Sequence, residues 1–147
     1  MINHSKFSYS IDIRATPAQI WSALINPQIT VQYWRHKNIS DWKISSKWWH
    51  VADDNKSTIK LTGDVLEVIP LKLLVLTWST PKTPEDISRV TFKIEKSINN
   101  GTCLKIIHDN LKSDSEKLKA IKTGWPKVLS SLKSFLETGH ALVTWEN

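Results

Sequence analysis

Cysteine is almost missing from this chain: Cys103 stands alone, so no internal disulfide can form and a thiolate zinc cage cannot be assembled. A reducing, cytoplasmic setting is expected. No run approaches the ~20 apolar residues of a membrane-spanning helix, and the opening MINHSKFSYSIDIR carries charge where a signal peptide would be hydrophobic. Neither a transmembrane nor a secreted protein is expected. The four glycines are scattered, and there is no Gly/Ser linker, low-complexity tract or internal repeat to mark a second domain. Arginine is scarce as well. Of twenty basic side chains only Arg14, Arg35 and Arg89 offer the planar fork on which phosphate and guanine readers rely. The 147 residues match one domain, and 40% apolar content suffices for a core, with or without an internal cavity. A single domain over 1–147 is therefore expected.

The net charge of +6 comes mostly from one stretch. Within 112–133, Lys112, Lys117, Lys119, Lys122, Lys127 and Lys133 face only Asp114 and Glu116. Two readings compete: a basic stripe for nucleic acid or an anionic surface, and the solvated back of an amphipathic helix. The scarcity of arginine favours the second, so no specific nucleic-acid partner is expected.

Residues 6–14 alternate Phe7, Tyr9, Ile11 and Ile13 against polar neighbours, the period-2 pattern of a half-buried strand. Thr16-Pro17 then reads as a helix cap followed by proline at the first helical position, with Ile20, Trp21, Leu24 and Ile25 on one face. Asn26-Pro27 stops that helix and caps a second, through Trp34. From there to about residue 110 the pattern becomes short strands, at 39–44, 47–52, 57–69, 72–79, 87–97 and 102–109. Ser45-Ser46, Asp53-Asp54-Asn55, Ile69-Pro70-Leu71, Pro81 to Asp86 and Asn99-Asn100-Gly101 separate them, so consecutive strands form an antiparallel meander.

After Leu111 the period becomes helical. Ser113 and Glu116 have the spacing of a capping box. Val128, Leu129, Leu132, Phe135 and Leu136 form one apolar stripe, and Gly139 is placed to end the helix in the left-handed region. Pro126 cannot donate to residue 122, which predicts two helices, 114–122 and 125–138, or one sharply bent.

The order of strand, two short helices, six strands and long helix is the helix-grip arrangement of class α+β. The chain resembles the START-like (SRPBCC) superfamily, in the branch named for the activator of the heat-shock chaperone ATPase. The matching pieces are Ala15-Thr16-Pro17 with Ile20-Trp21-Ser22-Ala23-Leu24 and Pro27; Trp34; Ser40-Asp41-Trp42 leading to Trp48; Gly63-Asp64-Val65-Leu66-Glu67-Val68 with Pro70; Leu74 with Thr77-Trp78; Gly101-Thr102 with Leu104 and His108; and Gly124-Trp125-Pro126 with Val128-Leu129, running to Leu136-Glu137-Thr138-Gly139. Ser45-Ser46 stands where the family usually has a glycine pair. The resemblance implies a curved sheet of about seven strands gripping the C-terminal helix, with an apolar cavity between them that often holds a small hydrophobic ligand. Chaperone activity in this branch is usually carried with an additional N-terminal domain, which is not expected within these 147 residues.

Eight tryptophans outnumber the five Phe and Tyr together. Trp34, Trp48, Trp78 and Trp125 lie on elements expected to surround the cavity; Trp21, Trp42, Trp49 and Trp145 lie elsewhere. Trp48 and Trp49 are adjacent on a strand and must face opposite ways. His108 is in phase with Leu104 and Ile106, so its imidazole faces inward, with Cys103 on the other face. Leu129 and Leu132 are expected to roof the cavity. His4, His36, His50 and His140 lack metal-ligand spacing, and no G-x-S-x-G, G-x-G-x-x-G or G-x-x-x-x-G-K motif occurs. No metal, cofactor or catalytic residue is assigned. The leading expectation is a binding module that holds a small, largely apolar molecule through Trp34, Trp48, Trp78, His108, Trp125, Leu129 and Leu132. Alternatives are a cyclase-like enzyme in which His108 or Glu67 moves a proton, and a chaperone or protein interaction module acting through the Lys-rich helix.

Overall fold

The structure, a computed structural model, describes residues 4–113 and 115–142; Asp114 and Trp145 fall outside them. Strand β1 (His4–Ile13) half-buries Phe7, Tyr9 and Ile11 and fully buries Ile13, as its alternation requires. Thr16 caps α1 (Pro17–Ile25) through a reciprocal box: the Gln19 N–H donates to Thr16 Oγ1 at 3.1 Å and the Thr16 N–H to Gln19 Oε1 at 2.8 Å. Asn26 caps α2 (Pro27–Trp34) by accepting from the Gln28 N–H, and the Tyr33 hydroxyl donates to the Ala23 carbonyl at 2.6 Å, locking the two helices together.

The remaining strands are β2 (His36–Ser40), β3 (Lys47–Ala52), β4 (Ile59–Ile69), β5 (Leu73–Thr80), β6 (Thr83–Lys96) and β7 (Thr102–Lys112). All neighbours are antiparallel, in the order β1-β7-β6-β5-β4-β3-β2. The helices α1 and α2 therefore carry the chain from one sheet edge to the other. Register shifts at Ser5/Phe7, His50/Val51, Val65/Glu67 and Trp78/Thr80 act as bulges, which bend strands and deepen the curvature.

Strand boundaries differ from the sequence reading most at β2 and β6. β2 covers 36–40 rather than 39–44, because Arg35 turns the chain in the left-handed region (φ 62°) and pairing begins at once. The segment from Pro81 to Asp86 is not all loop: Thr83 already belongs to β6, its side chain bonded to that of Thr80 at 2.7 Å across a two-residue turn. Ser45 takes φ 74°, a region glycine occupies at lower cost, and its N–H is bonded to the Val65 carbonyl at 2.8 Å. The turn keeps a glycine-like backbone without glycine.

The long helix α3 (Glu116–Thr138) corrects the expectation of two separate helices, since it runs continuously through Pro126 with no restart at Thr123. An interior proline costs ~3 kcal/mol. Against this, Leu118, Trp125, Val128, Leu129 and Leu132 are all buried along the helix on both sides of the proline, each contributing roughly 1.5–3 kcal/mol. Packing outweighs the lost bond. The cap is Ser115, whose Oγ accepts from the Leu118 N–H at 3.0 Å, whereas Ser113 bonds Ser5 Oγ at 2.6 Å. Glu116 then begins the helix, where a negative charge suits the exposed N–H groups. Gly139 ends it at φ 84° as expected, its N–H bonded to the Phe135 carbonyl.

Helix α3 packs on β1, β7 and α2. Buried Ser131 donates from Oγ to the Tyr33 carbonyl at 2.8 Å, pinning the helix to the end of α2. Beneath it lie Ile13, Ile20, Leu74, Leu76, Val90, Phe92, Leu104 and Ile106, packed with its own Leu129 and Leu132. Cys103 is a partly buried free thiol on the face of β7 opposite His108. Among the described residues no helix is long and apolar enough to cross a membrane.

Candidate functional site

The curvature leaves a cavity of about 550 Å³ between β3–β5 and the first half of α3. Strand alternation supplies one wall. Trp48 and His50 share the inner face of β3 while Trp49 points outward, 37% exposed. Leu61 on β4 and Trp78 on β5 continue the wall. Helix α3 contributes Ile121, Gly124, Trp125 and Val128, and Trp34 closes the α2 end. The exposed or half-exposed Thr80, Thr83, Asp86, Glu116 and Lys117 surround the opening.

Aromatic contacts make this corner stiff. Trp125 meets Trp34 at 5.6 Å and Trp78 at 5.5 Å between ring centroids, and Trp34 meets His50 at 4.5 Å. Such pairs contribute ~0.5–1.5 kcal/mol beyond area burial. Trp48 stands behind, opposite Gly63 in register, and its indole N–H reaches across β4 to the Thr77 carbonyl at 2.7 Å. A β-carbon at Gly63 would collide with that carbonyl, so the close approach needs glycine.

Of the seven residues anticipated for the site, Trp34, Trp78 and Trp125 line the cavity, whereas Trp48, His108, Leu129 and Leu132 do not. Leu129 and Leu132 are buried further along α3, within the core rather than over the opening. His108 is fully buried behind Trp78 and Trp125, with both ring nitrogens engaged. The Trp125 indole, which can only donate, donates to Nδ1 at 3.1 Å, so Nε2 carries the proton and donates to Ser88 Oγ at 2.7 Å. Ser88 in turn donates to the Trp78 carbonyl at 3.3 Å. Burial, with the Lys117 charge adding to it, pushes the His108 pKa down to about 3. This histidine positions the two tryptophans.

His50 also lines the cavity and is not among the anticipated residues, although its place two residues from Trp48 on one strand is a period-2 signal for the same face. Only 3% exposed, it has Nδ1 2.6 Å from Asn38 Oδ1 and its ring stacked on His36 at 4.6 Å. Asn38 Nδ2 donates to the Leu24 carbonyl at 3.4 Å, which fixes Oδ1 as the group facing His50. Nδ1 therefore carries the proton and Nε2 a lone pair. Burial first, and His36 second, push the His50 pKa down to about 3, leaving a neutral ring. At the opening, Lys117 Nζ donates to the Asp86 carbonyl at 3.1 Å and lies 3.6 Å from its carboxylate, tying α3 to β6. Burial lowers the Lys117 pKa, and the Asp86 charge opposes that shift. Leu61, Ile121, Gly124 and Val128 were also missed; Val128 belonged to the apolar stripe already recognised.

A second depression, of about 610 Å³, runs along Leu71, Lys72, Leu73 and Lys93 to Lys96. It has no tryptophan wall. Among the described residues no group of three or more His, Cys, Asp or Glu could hold a metal ion.

A seven-stranded antiparallel sheet folded around a long C-terminal helix, two short helices after the first strand, and an apolar space beneath the helix define a helix-grip protein of the SRPBCC superfamily. The chain belongs to the family described as Activator of Hsp90 ATPase homolog 1-like protein, whose model matches residues 14–137. It is similar to the Aha1 dimer from Colwellia psychrerythraea, with a TM-score of 0.76 at 23% identity over 92% of this chain and 98% of that one. A protein from Staphylococcus saprophyticus gives a TM-score of 0.78 at 18% identity, covering 96% and 98% of the two chains. One from Cytophaga hutchinsonii gives 0.74 at 25% identity, covering 95% and 97%. Among curated proteins, none matches this sequence.

Proposed function

We propose that the protein binds a small, largely apolar molecule in the cavity between β3–β5 and α3. The observation that carries this reading is the wall: Trp34 and Trp78, each packed on Trp125, with Leu61, Ile121 and Val128, around about 550 Å³ of space that opens past Thr83 and Lys117. A space of that size suits a small ligand. A flat aromatic molecule burying about 200 Å² there gains roughly 5 kcal/mol from apolar burial, before the cost of immobilising it. The cyclase-like alternative draws less support, because His108 is engaged at both nitrogens and Glu67 is exposed. The Lys-rich surface draws less as well. Lys117 is tied to Asp86, Lys133 to Glu137 and the Asp12 carbonyl, and Lys119 to Glu116.

Titration with 2-methoxynaphthalene, followed by tryptophan fluorescence, tests the proposal. Saturable quenching at one molecule per chain is the expected result. Quenching that rises linearly without saturation, together with no small molecule released when the purified protein is denatured, refutes it.

A further inference from the structure

The cavity wall is mostly apolar, and His50 brings a buried acceptor to it. His50 lines the space, its Nδ1–H is held by Asn38 Oδ1, and among the described residues Nε2 has no hydrogen-bond partner. The two nitrogens of an imidazole point away from one another, so with Nδ1 turned to Asn38 on β2, the Nε2 lone pair is directed away from that edge strand. The tautomer is fixed from outside the cavity. Reversing it requires the Asn38 amide to turn over, which sets its oxygen against the Leu24 carbonyl it now donates to. The Asn38 N–H is itself bonded to Thr30 Oγ1 at 3.0 Å, holding the backbone of that residue in place. His50 is thus a fixed acceptor that offers no proton on the cavity side.

We propose that His50 Nε2 selects among apolar ligands, favouring a flat or aromatic molecule that carries a single hydrogen-bond donor, a phenol or alcohol hydroxyl, over equally apolar molecules that offer only acceptors. The inference rests on the cavity being a binding site. It adds what the apolar wall alone does not supply, an orientation: the hydroxyl at β3 and the ring against the tryptophan wall. An ether or ketone oxygen placed there meets a second lone pair. A carboxylate adds a charge that the tryptophan wall cannot solvate.

The test compares 2-naphthol with 2-methoxynaphthalene on wild type and on His50→Phe, which keeps the ring and removes the acceptor. The ratio of the two affinities should shift toward the ether by roughly three- to tenfold on substitution, the range of one net hydrogen bond. The ratio is the readout, since the substitution also alters the wall on which both probes pack. An unchanged ratio overturns the proposal and leaves the container reading standing. Failure of both probes to bind wild type removes the container reading and this one together. A measurement on wild type alone covers the case in which His50→Phe does not fold. In long-range proton–nitrogen spectra, the His50 Nε2 resonance should begin as an unprotonated nitrogen and shift on adding 2-naphthol but not 2-methoxynaphthalene. Absence of that shift, or an Nε2 that already bears the proton, overturns the proposal.

Discussion

Gly124 offers the sharpest test of the cavity, because it lies in the interior of a helix with open space beside it. A β-carbon added at this position meets no atom within 4 Å, and the residue lines the space between α3 and the sheet. It is not among the described residues with positive φ, so nothing in the backbone requires glycine there. Gly124→Ala should therefore stabilise the protein by about 1 kcal/mol, the helix-propensity difference, with no steric cost to offset it. In a chain of this size that raises the melting temperature by roughly 2–4 °C, and it raises the urea midpoint by about 0.3–1 M. Gly124→Leu should fold as well, its side chain entering the cavity, and should weaken 2-methoxynaphthalene binding by about tenfold or more, since it occupies the ligand's space. Gly63→Ala is the control in the opposite sense. There the β-carbon collides with the Thr77 carbonyl, so the same chemical change should destabilise by a few kcal/mol or abolish folding. The assay is urea denaturation monitored by tryptophan fluorescence, with probe titration of each variant. A lowered midpoint for Gly124→Ala would show that the space is filled, and undiminished probe binding by Gly124→Leu would place the ligand elsewhere.

Acid should destabilise the fold well above the carboxylate range. His50 and His108 have pKa values pushed down to about 3, so below the unfolded value of 6.5 the unfolded chain takes up protons that the folded chain refuses. Their contribution is complete above pH 6.5 and is lost as pH falls toward 3, at up to roughly 1.4 kcal/mol per pH unit for each ring; urea midpoints that stay flat from pH 6.5 to 5 refute this. Leu132→Ala should cost about 2–5 kcal/mol while leaving probe affinity within about twofold, because the side chain is fully buried in the core and does not border the cavity. A small stability loss coupled to a large affinity loss would move the cavity's roof to Leu132.

Most of the fold was legible because local chemistry and tertiary demand agree along most of the chain. Thr16-Pro17, Asn26-Pro27 and Gly139 are caps whose side chains or conformational freedom act within a few residues, and the structure uses each of them. The alternation in β1 and β7 is equally local, since one face must be buried. The errors fall where a distant partner decides. Ser113 and Ser115 are chemically equal candidates for the cap of α3, and Ser5 on the far strand claims the first. Pro126 is a helix breaker on propensity alone. Whether α3 stops there depends on Leu118 and Trp125 before it, and on Val128, Leu129 and Leu132 after it, all finding the same core. The start of β2 depends on the left-handed turn at Arg35, a residue type that does not advertise one.

The site was less legible than the fold, and the two buried histidines show why. Each sits on a strand in phase with large apolar residues, so periodicity predicts the same inward orientation for both. What separates them is how many of their nitrogens find protein partners. His108 meets Trp125 on one side and Ser88 on the other, contributed by α3 and β6 at sequence separations of 17 and 20 residues, and nothing near His108 in sequence encodes either contact. His50 meets Asn38 across one strand pair and then faces open space. A histidine satisfied at both nitrogens is a rigid polar bolt within the core. One satisfied at a single nitrogen, beside a cavity, is an unfilled valence that solvent or a ligand must complete. Gly124 on α3 borders the same space, and a larger residue there would take up part of it. The pairing of His50 on β3 with Gly124 on α3 therefore defines the candidate site more narrowly than the tryptophans do, since the tryptophans wall the core and the cavity alike.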